Sequence, residues 1–208
     1  DVRGRAVASP LPKVVAPRLG SGCKAGANGM VIAVVDGVVR RVADKEIDVV
    51  QLWKHDSNVD LHSGNLHIKG TLVVRGPVEV SGVLQTGRSI RAGGGLRAGG
   101  SIVAGEDIRV AGGIVSQGPL QVGGDLRADW GVEAEGDIRC GGDLRAGWDL
   151  VCHGKLVLQG GAFVGHDLIA HGAVECDKGL RVGGHLTGAG SVRVGQGILV
   201  GGAISGVQ

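Results

Sequence analysis

The sequence predicts an all-β protein: a triangular parallel β-helix of about eight coils, with an 18-residue coil made of three hexads, preceded by a small β-module. Three observations support this fold. A Leu, Ile or Val recurs at every sixth residue from Leu66 to Ile204, with Ala162 as the one weak member. A small or apolar residue follows two positions later, and in most hexads glycine follows two positions after that. A fixed short period is typical of solenoids, in which each repeat buries its apolar side against its neighbours.

The first part of the chain, residues 1–57, is predicted to be a lead-in and a small capping module. Residues 1–29 are rich in Gly, Pro and Ala. Three predicted strands follow, at Met30–Val35, Gly37–Val42 and Ile47–Trp53. The Asp-Gly pair between the first two is typical of a tight type I′ hairpin. We expect this module to cap the first coil, whose open backbone edge would otherwise pair with other chains.

Residues 58–208 form the predicted β-helix. The aliphatic residue of each hexad and the residue two positions later are the buried positions of a short strand, because side chains alternate between the two faces. Glycine at the corner is expected to supply the positive φ of a turn. The corners that are not glycine recur at every third hexad, so three hexads make one coil. The general preference for right-handed parallel crossovers favours a right-handed coil.

One predicted face carries a column of arginines, and aspartates stand two residues before three of them. The column consists of Arg91, Arg109, Arg127, Arg145 and Arg181, with Phe163 interrupting it, and the aspartates are Asp107, Asp125 and Asp143. We expect a solvated, salt-bridged face, in which each exposed pair contributes up to about 1 kcal/mol. An anion-binding strip is the alternative, but interleaved carboxylates cancel the field that phosphate binding requires. Nucleic acid is therefore not a predicted partner.

Two groups of side chains are candidates for binding a protein partner. The first is a column at one corner, formed by Trp130, Trp148 and His166, which stand three hexads apart. The second is an outward-facing aliphatic group on a glycine-rich face, formed by Val115, Val151 and Ile169. Stacked aromatics at a corner favour packing or docking over a sugar platform, and a flat apolar face can dock a partner. Scattered surface aliphatics are the plainer interpretation of the second group.

No catalytic, cofactor or metal site is predicted. His153 and His171 share a column with Glu135, but three ligands on a flat face without supporting side chains are a weak metal signal. Acyltransferases with hexad repeats resemble this chain in period, yet they need a loop extending from the coils. Because no insertion breaks the phase across the hexads, enzyme activity ranks last among the interpretations.

Composition indicates a cytoplasmic protein. Three of the four cysteines, Cys140, Cys152 and Cys176, fall on interior positions and resemble small buried hydrophobes of a reducing compartment. No secretory segment or membrane span is visible. A net charge of +2 does not suggest a polyanion partner.

The entry into the repeats resembles a known family. The run NVDLHSGNL at residues 58–66 is similar to the VDLSTGNI entry of the FapA (flagellar assembly protein A) family, although His62 stands where that family usually has Thr or Ser. The preceding hairpin and the Gly-x-Val-x-Val-x-Gly repeats that follow are likewise similar. The resemblance covers roughly residues 20–208. It implies a non-enzymatic, cytoplasmic, bacterial protein linked to flagellar assembly or polar placement.

Two functional hypotheses follow. The first is a rigid β-helical scaffold of the FapA type that presents its faces to protein partners of the flagellar or polar machinery. The alternative is a polymer-forming cytoskeletal element resembling bactofilins, which would assemble through exposed coil edges. Sedimentation would separate them, since concentration-dependent filaments favour the second and a discrete species favours the first.

Overall fold

The structure is a computed structural model that describes residues 32–35, 38–41, 47–49, 52–55, 59–61, 64–68, 70–188 and 190–206. The predicted lead-in at residues 1–29, the Asp-Gly turn and Cys23 lie outside these residues. Within them the chain is all-β, and its strands form three sheets.

The strands are numbered in chain order, and from β2 onward every third strand belongs to the same sheet. Sheet I contains β1 (Ile32–Val35), β2 (Val38–Arg41), β5 (Val59–Leu61), β8 (Val78–Val80), β11 (Leu96–Ala98), β14 (Ile114–Ser116), β17 (Val132–Ala134), β20 (Leu150–Cys152), β23 (Leu168–Ala170), β26 (Leu186–Gly188) and β29 (Ile204–Ser205). Sheet II contains β3 (Ile47–Val49), β6 (Leu66–Ile68), β9 (Leu84–Thr86), β12 (Ile102–Ala104), β15 (Leu120–Val122), β18 (Ile138–Cys140), β21 (Leu156–Leu158), β24 (Val174–Cys176) and β27 (Val192–Val194). Sheet III contains β4 (Leu52–His55), β7 (Thr71–Val74), β10 (Ile90–Ala92), β13 (Ile108–Val110), β16 (Leu126–Ala128), β19 (Leu144–Ala146), β22 (Ala162–Val164), β25 (Leu180–Val182) and β28 (Ile198–Val200).

The strands stack with like residues on like, which confirms the predicted coil of three hexads. In sheet III, for example, Arg109 lies beside Arg127 and Ile108 beside Leu126. All pairs between successive coils are parallel, and ladder bonds such as Leu126 N–H to the Asp143 carbonyl (2.9 Å) join them. The predicted parallel β-helix is therefore confirmed.

The core is a narrow column of aliphatic side chains inside the three sheets. In the strands from β6 to β26 the aliphatic residue of the hexad and the residue two positions later are buried, and the residue between them points outward; β7 has one additional residue, Thr71, at its start. The aliphatic residues that recur every six positions are buried from Leu66 to Leu186. The third residue is often alanine, as in Ala92, Ala98 and Ala128. This strand pattern follows from period-2 alternation, as predicted.

Three cysteines occupy these inward third positions, as predicted. Cys140, Cys152 and Cys176 are buried free thiols. Burial raises the pKa of Cys140 and of Cys176 to about 11, and it also raises the pKa of Cys152. The thiols are therefore protonated and act as small core side chains.

The parallel stacking already includes strands that precede β6. The strands β3, β4 and β5 pair in parallel with β6, β7 and β8. The single strand predicted at Ile47–Trp53 is two strands, because the chain turns a corner between sheets II and III. β1 and β2 form the predicted antiparallel hairpin, and Val39 of β2 pairs with Val59 of β5. The hairpin thus extends sheet I beyond β5.

The corner glycines act through close approach and not through φ, contrary to the sequence expectation. Among the described glycines, positive φ is found at Gly64 (89°) and Gly206 (68°). At the corner that is glycine in every coil, a Cβ on Gly136 would lie 2.7 Å from the Pro119 nitrogen of the coil below. The spacing of the coils leaves no room for a side chain there.

Candidate functional site

The corner between sheets III and I carries the predicted aromatic column. Trp148 N–H donates to the Trp130 carbonyl (3.3 Å), and His166 N–H donates to the Trp148 carbonyl (3.2 Å). The three residues therefore occupy one corner in successive coils, as their spacing of three hexads predicted. Trp130 is 69% exposed and Trp148 is 58% exposed. Because indole rings normally find an apolar environment, this corner presents an unusual amount of exposed aromatic surface.

His166 links this column to two carboxylates. Its Nδ1 lies 2.8 Å from Asp149 Oδ1 and 3.5 Å from Asp167 Oδ2. The hydrogen bond to Asp149 raises the pKa of His166 above its ordinary value, with further support from both charges. The His166 ring stacks on Trp148, with centroids 4.9 Å apart and planes 12° apart. The corner can therefore hold an imidazolium against an indole face, which is a cation–π contact.

The predicted aliphatic group on sheet I is less continuous than expected. The outward residues run in the order Val115, Glu133, Val151, Ile169 along successive strands, so a carboxylate separates Val115 from the other two. The three aliphatic residues are half-buried. Val151 and Ile169 are neighbours in the ladder, and Val115 is apart from them.

The two predicted groups adjoin each other around one corner. Val151 follows Trp148 by three residues, and Ile169 follows His166 by three residues, in two successive coils. We use the name apolar corner for Trp130, Trp148, His166, Val151 and Ile169 together. Sequence reasoning treated these residues as two separate candidates, although the shared three-residue offset already places them in the same coils.

A cation–π stack on sheet III extends this surface on its other side. Phe163 stands between Arg145 and Arg181 in the arginine column, with the guanidinium carbons 4.9 and 5.8 Å from the ring centroid. Sequence reasoning noted Phe163 only as an interruption of the column. The step of three hexads from Arg145 to Phe163 was the signal that could have identified this stack.

The sequence matches the model of a known protein family. Residues 51–206 match the family model described as the Flagellar Assembly Protein A (FapA) beta solenoid domain. The match covers well over half of the chain. The chain belongs to the FapA family. The resemblance seen at the entry into the repeats is thereby confirmed. No curated protein matches the sequence, and no solved structure matches it.

The aspartates of this FapA solenoid have a structural role that sequence reasoning missed. Asp107 Oδ1 accepts the N–H of Asp125 (3.0 Å), Asp125 Oδ1 accepts that of Asp143 (2.9 Å), and Asp143 Oδ1 accepts that of Gly161 (2.9 Å). Each carboxylate thus completes the backbone ladder at the start of a strand one coil further on. The bond from Gly161 is the main reason why the pKa of Asp143 is lowered.

The predicted salt bridges of the arginine face form only in part. Arg109 pairs with Asp107 at 3.4 Å, but Arg127 pairs with Asp129 at 3.2 Å and not with Asp125. The groove between these columns is about 490 Å³ and contains as many aspartates as arginines (Asp125, Asp129, Asp143, Arg109, Arg127 and Arg145). Since the opposing charges balance there, this FapA face lacks the positive potential that an anion strip requires.

In the part of the chain that the structure describes, no helix has both the length and the apolar character of a membrane span.

The connections from β6 to β29 of this FapA solenoid are two or three residues long. A connection of that length makes a corner and cannot fold over a substrate.

Proposed function

We propose that this chain is a non-enzymatic, rigid β-helical scaffold that binds protein partners in flagellar assembly or polar placement through its apolar corner. The observation that carries the proposal is the exposure of two indole side chains, 69% at Trp130 and 58% at Trp148, at one corner of a FapA solenoid. Membership of the family supports the flagellar context. The exposed aromatic surface supports a partner contact.

The energetics favour a contact at this corner. A tryptophan buries about 150–250 Å² when it is enclosed, and each Å² of apolar surface removed from water contributes about 25 cal/mol. More than half of each indole is exposed and thus open to burial by a partner. Tryptophan and arginine also dominate the strongest positions of protein interfaces, where truncation costs about 2 kcal/mol or more. Arg145 lies three residues before Trp148 in the same coil.

Rigidity is the second support for a scaffold. Each strand from β6 to β26 is bonded on both sides to strands of neighbouring coils, so the corner residues are held at fixed spacing. A surface that is already ordered loses little conformational entropy on binding. The partner then sees the same arrangement of indole, imidazole and aliphatic side chains in the free protein as in the complex.

The short connections and the cysteine environments complete the proposal. Corners of two or three residues between β6 and β29 support a scaffold without a catalytic loop. The buried free thiols of Cys140, Cys152 and Cys176 suit a reducing compartment, and we place the protein in the cytoplasm of a bacterial cell.

A capture experiment tests the partner contact. The intact chain is immobilised beside Trp130→Ala/Trp148→Ala, and bound proteins of a flagellated bacterium are identified by mass spectrometry. We expect flagellar or polar components on the intact chain and at least about thirtyfold weaker capture by the double variant, the equivalent of about 2 kcal/mol. Val103→Ala/Val157→Ala is the matched control, because it removes half-buried aliphatic surface from sheet II. Equal capture by both double variants, or capture without any such component, contradicts the proposal.

The alternative function is self-assembly through coil edges. Ile198 and Ile204 occupy positions that are buried in earlier coils, yet they are 45% and 55% exposed, and Leu199 is 59% exposed. These residues lie on β28 and β29, which are the outermost strands of sheets III and I in the described structure. Sedimentation over a range of concentrations tests it. Filaments that vanish in Ile198→Lys/Ile204→Lys favour assembly, and a discrete species at every concentration refutes it.

A further inference from the structure

A cluster of two carboxylates and two imidazoles lies on sheet I, at β17 and directly after β17, β20 and β23. Glu133 is the middle residue of β17, and Glu135 follows the same strand. His153 and His171 occupy the position of Glu135 in the next two coils, as their backbone bonds to Ala134 and Cys152 show. The side-chain ligand atoms of Glu133, Glu135 and His153 all lie within 4.8 Å of one another. The His171 ring contacts the His153 ring edge-on, with centroids 4.6 Å apart.

The contacts of this cluster leave its ligand atoms available. In the described residues, neither Glu133 nor Glu135 is paired with a lysine or arginine, and Glu135 Oε2 is 4.0 Å from His153 Nε2. That distance is longer than a hydrogen bond. Two carboxylates held this close without a cationic partner repel each other, and a bound cation would relieve that repulsion.

A second cluster in the same molecule shows the contrast. Asp149, His166 and Asp167 also bring three ligand atoms together. There, however, a hydrogen bond of 2.8 Å joins His166 to Asp149, and both aspartates accept backbone N–H groups of the next coil. A proton and the backbone ladder already occupy those ligand atoms. The cluster on sheet I has no such network and is therefore the better metal site.

We propose that Glu133, Glu135 and His153 bind a divalent transition metal of the Zn²⁺ type, with water as the fourth ligand. Zn²⁺ binds imidazole nitrogen and carboxylate oxygen at about 2.0–2.2 Å, usually with four ligands in tetrahedral geometry. Tetrahedral geometry at these lengths places neighbouring ligand atoms about 3.4 Å apart. The 4.0 Å separation of Glu135 and His153 reaches that value by a small side-chain rotation.

The surroundings of the cluster allow a metal ion to enter. A groove of about 590 Å³ on the same sheet is lined by Glu133, Glu135, Gln117 and Arg97 among others. His153 has 33% of its side chain exposed, and Glu135 has 55%. Sequence reasoning considered Glu135, His153 and His171 but omitted Glu133. Glu133 lies within β17 and Glu135 lies after it, so the two residues belong to different columns of the coil.

Titration calorimetry of the full chain with ZnCl₂ tests the site. We expect one Zn²⁺ per chain in the intact protein and at least about tenfold weaker binding in Glu135→Gln/His153→Gln, because a lost ligand costs no less than a lost supporting contact. The matched control is His166→Gln/Glu175→Gln, which removes the same two side-chain types from the second cluster and from sheet II, and it should bind as the intact chain does.

Two outcomes overturn the proposal. One is equal Zn²⁺ affinity in the intact chain and in Glu135→Gln/His153→Gln. The other is loss of binding in the control double variant with retention in the first, which assigns the metal to the Asp149 cluster. All substituted side chains are on the outer surface, and circular dichroism establishes that each variant is folded. As a second readout, Co²⁺ bound at the site gives visible absorption bands whose intensity reports tetrahedral coordination, and these bands should be absent in the first double variant.

Discussion

Replacing Gly136 with alanine tests whether close approach between coils sets the choice of glycine at the invariant corner. An added Cβ would lie 2.7 Å from the Pro119 nitrogen and 3.0 Å from the Gly118 carbonyl carbon, both in the backbone of the coil below. Ordinary contact begins at 3.4 Å. The coils must therefore separate by about 0.7 Å at this corner, since neither neighbour is a flexible side chain.

Two ladder bonds flank the corner and would be lengthened by that separation. Glu135 N–H donates to the Ser116 carbonyl at 3.0 Å, and Leu120 N–H donates to the Asp137 carbonyl at 2.9 Å. An increase of about 0.7 Å takes both beyond the hydrogen-bonding range. Each lost bond costs about 0.5–1.5 kcal/mol, and overpacking costs about 1–3 kcal/mol. We expect Gly136→Ala to lower the free energy of unfolding by roughly 2–6 kcal/mol.

Urea unfolding followed by circular dichroism measures this effect, and Gly197→Ala is its matched control. A Cβ at Gly197 meets no atom within 4 Å, and this glycine does not have positive φ. Alanine there should be neutral or stabilising by up to about 1 kcal/mol, because it restricts the unfolded chain. A change below about 0.5 kcal/mol in Gly136→Ala, or equal losses in the two variants, would refute the reasoning.

Three further predictions concern titratable groups. At about pH 8, a thiol reagent should not label the described cysteines of the folded chain, because burial raises the pKa of Cys140 to about 11, and labelled Cys140 found by mass spectrometry would contradict this. The folded-state pKa of Asp143 is lowered, so its contribution to stability is present above the unfolded value of 3.8 and is lost as pH falls through the folded value. Acid unfolding of Asp143→Asn should therefore depend less steeply on pH than that of the intact chain; an equal slope contradicts the assignment. The pKa of His166 is raised, so its contribution is complete below 6.5 and is lost as pH rises through the folded value. Nuclear magnetic resonance titration should give a lower pKa for His166 in Asp149→Asn, and an unchanged value would show that Asp149 is not the cause.

The regular period made the architecture predictable. Because one residue of error in register turns every side chain to the other face, an unbroken series from Leu66 to Ile204 defines strands, coils and neighbours together. The Arg109 and Arg127 pairing and the single corner of Trp130, Trp148 and His166 followed from spacing alone.

Features that depend on atomic distances were not predictable in the same way. Asp125 was expected to pair with Arg127, because charge complementarity is visible in a sequence, whereas the position of a backbone N–H one coil away is not. The role of Gly136 likewise depends on the separation between coils, and composition suggests φ first. The sequence does not show that the Glu133 carboxylate lies within 4.8 Å of the His153 ring nitrogen, and this distance defines the cluster.

The direction of the ladder bonds determines how the rod responds to force. The N–H to carbonyl bonds between coils, such as Gly154 to Gly136, lie along the long axis, whereas the strands run across it. Tension along the long axis therefore acts on one interface between coils after another. It separates the outermost coil first. A force applied across the long axis is resisted by the covalent backbone of many strands at once. A partner attached at the apolar corner, on the side of the rod, would be held through the stiffer direction.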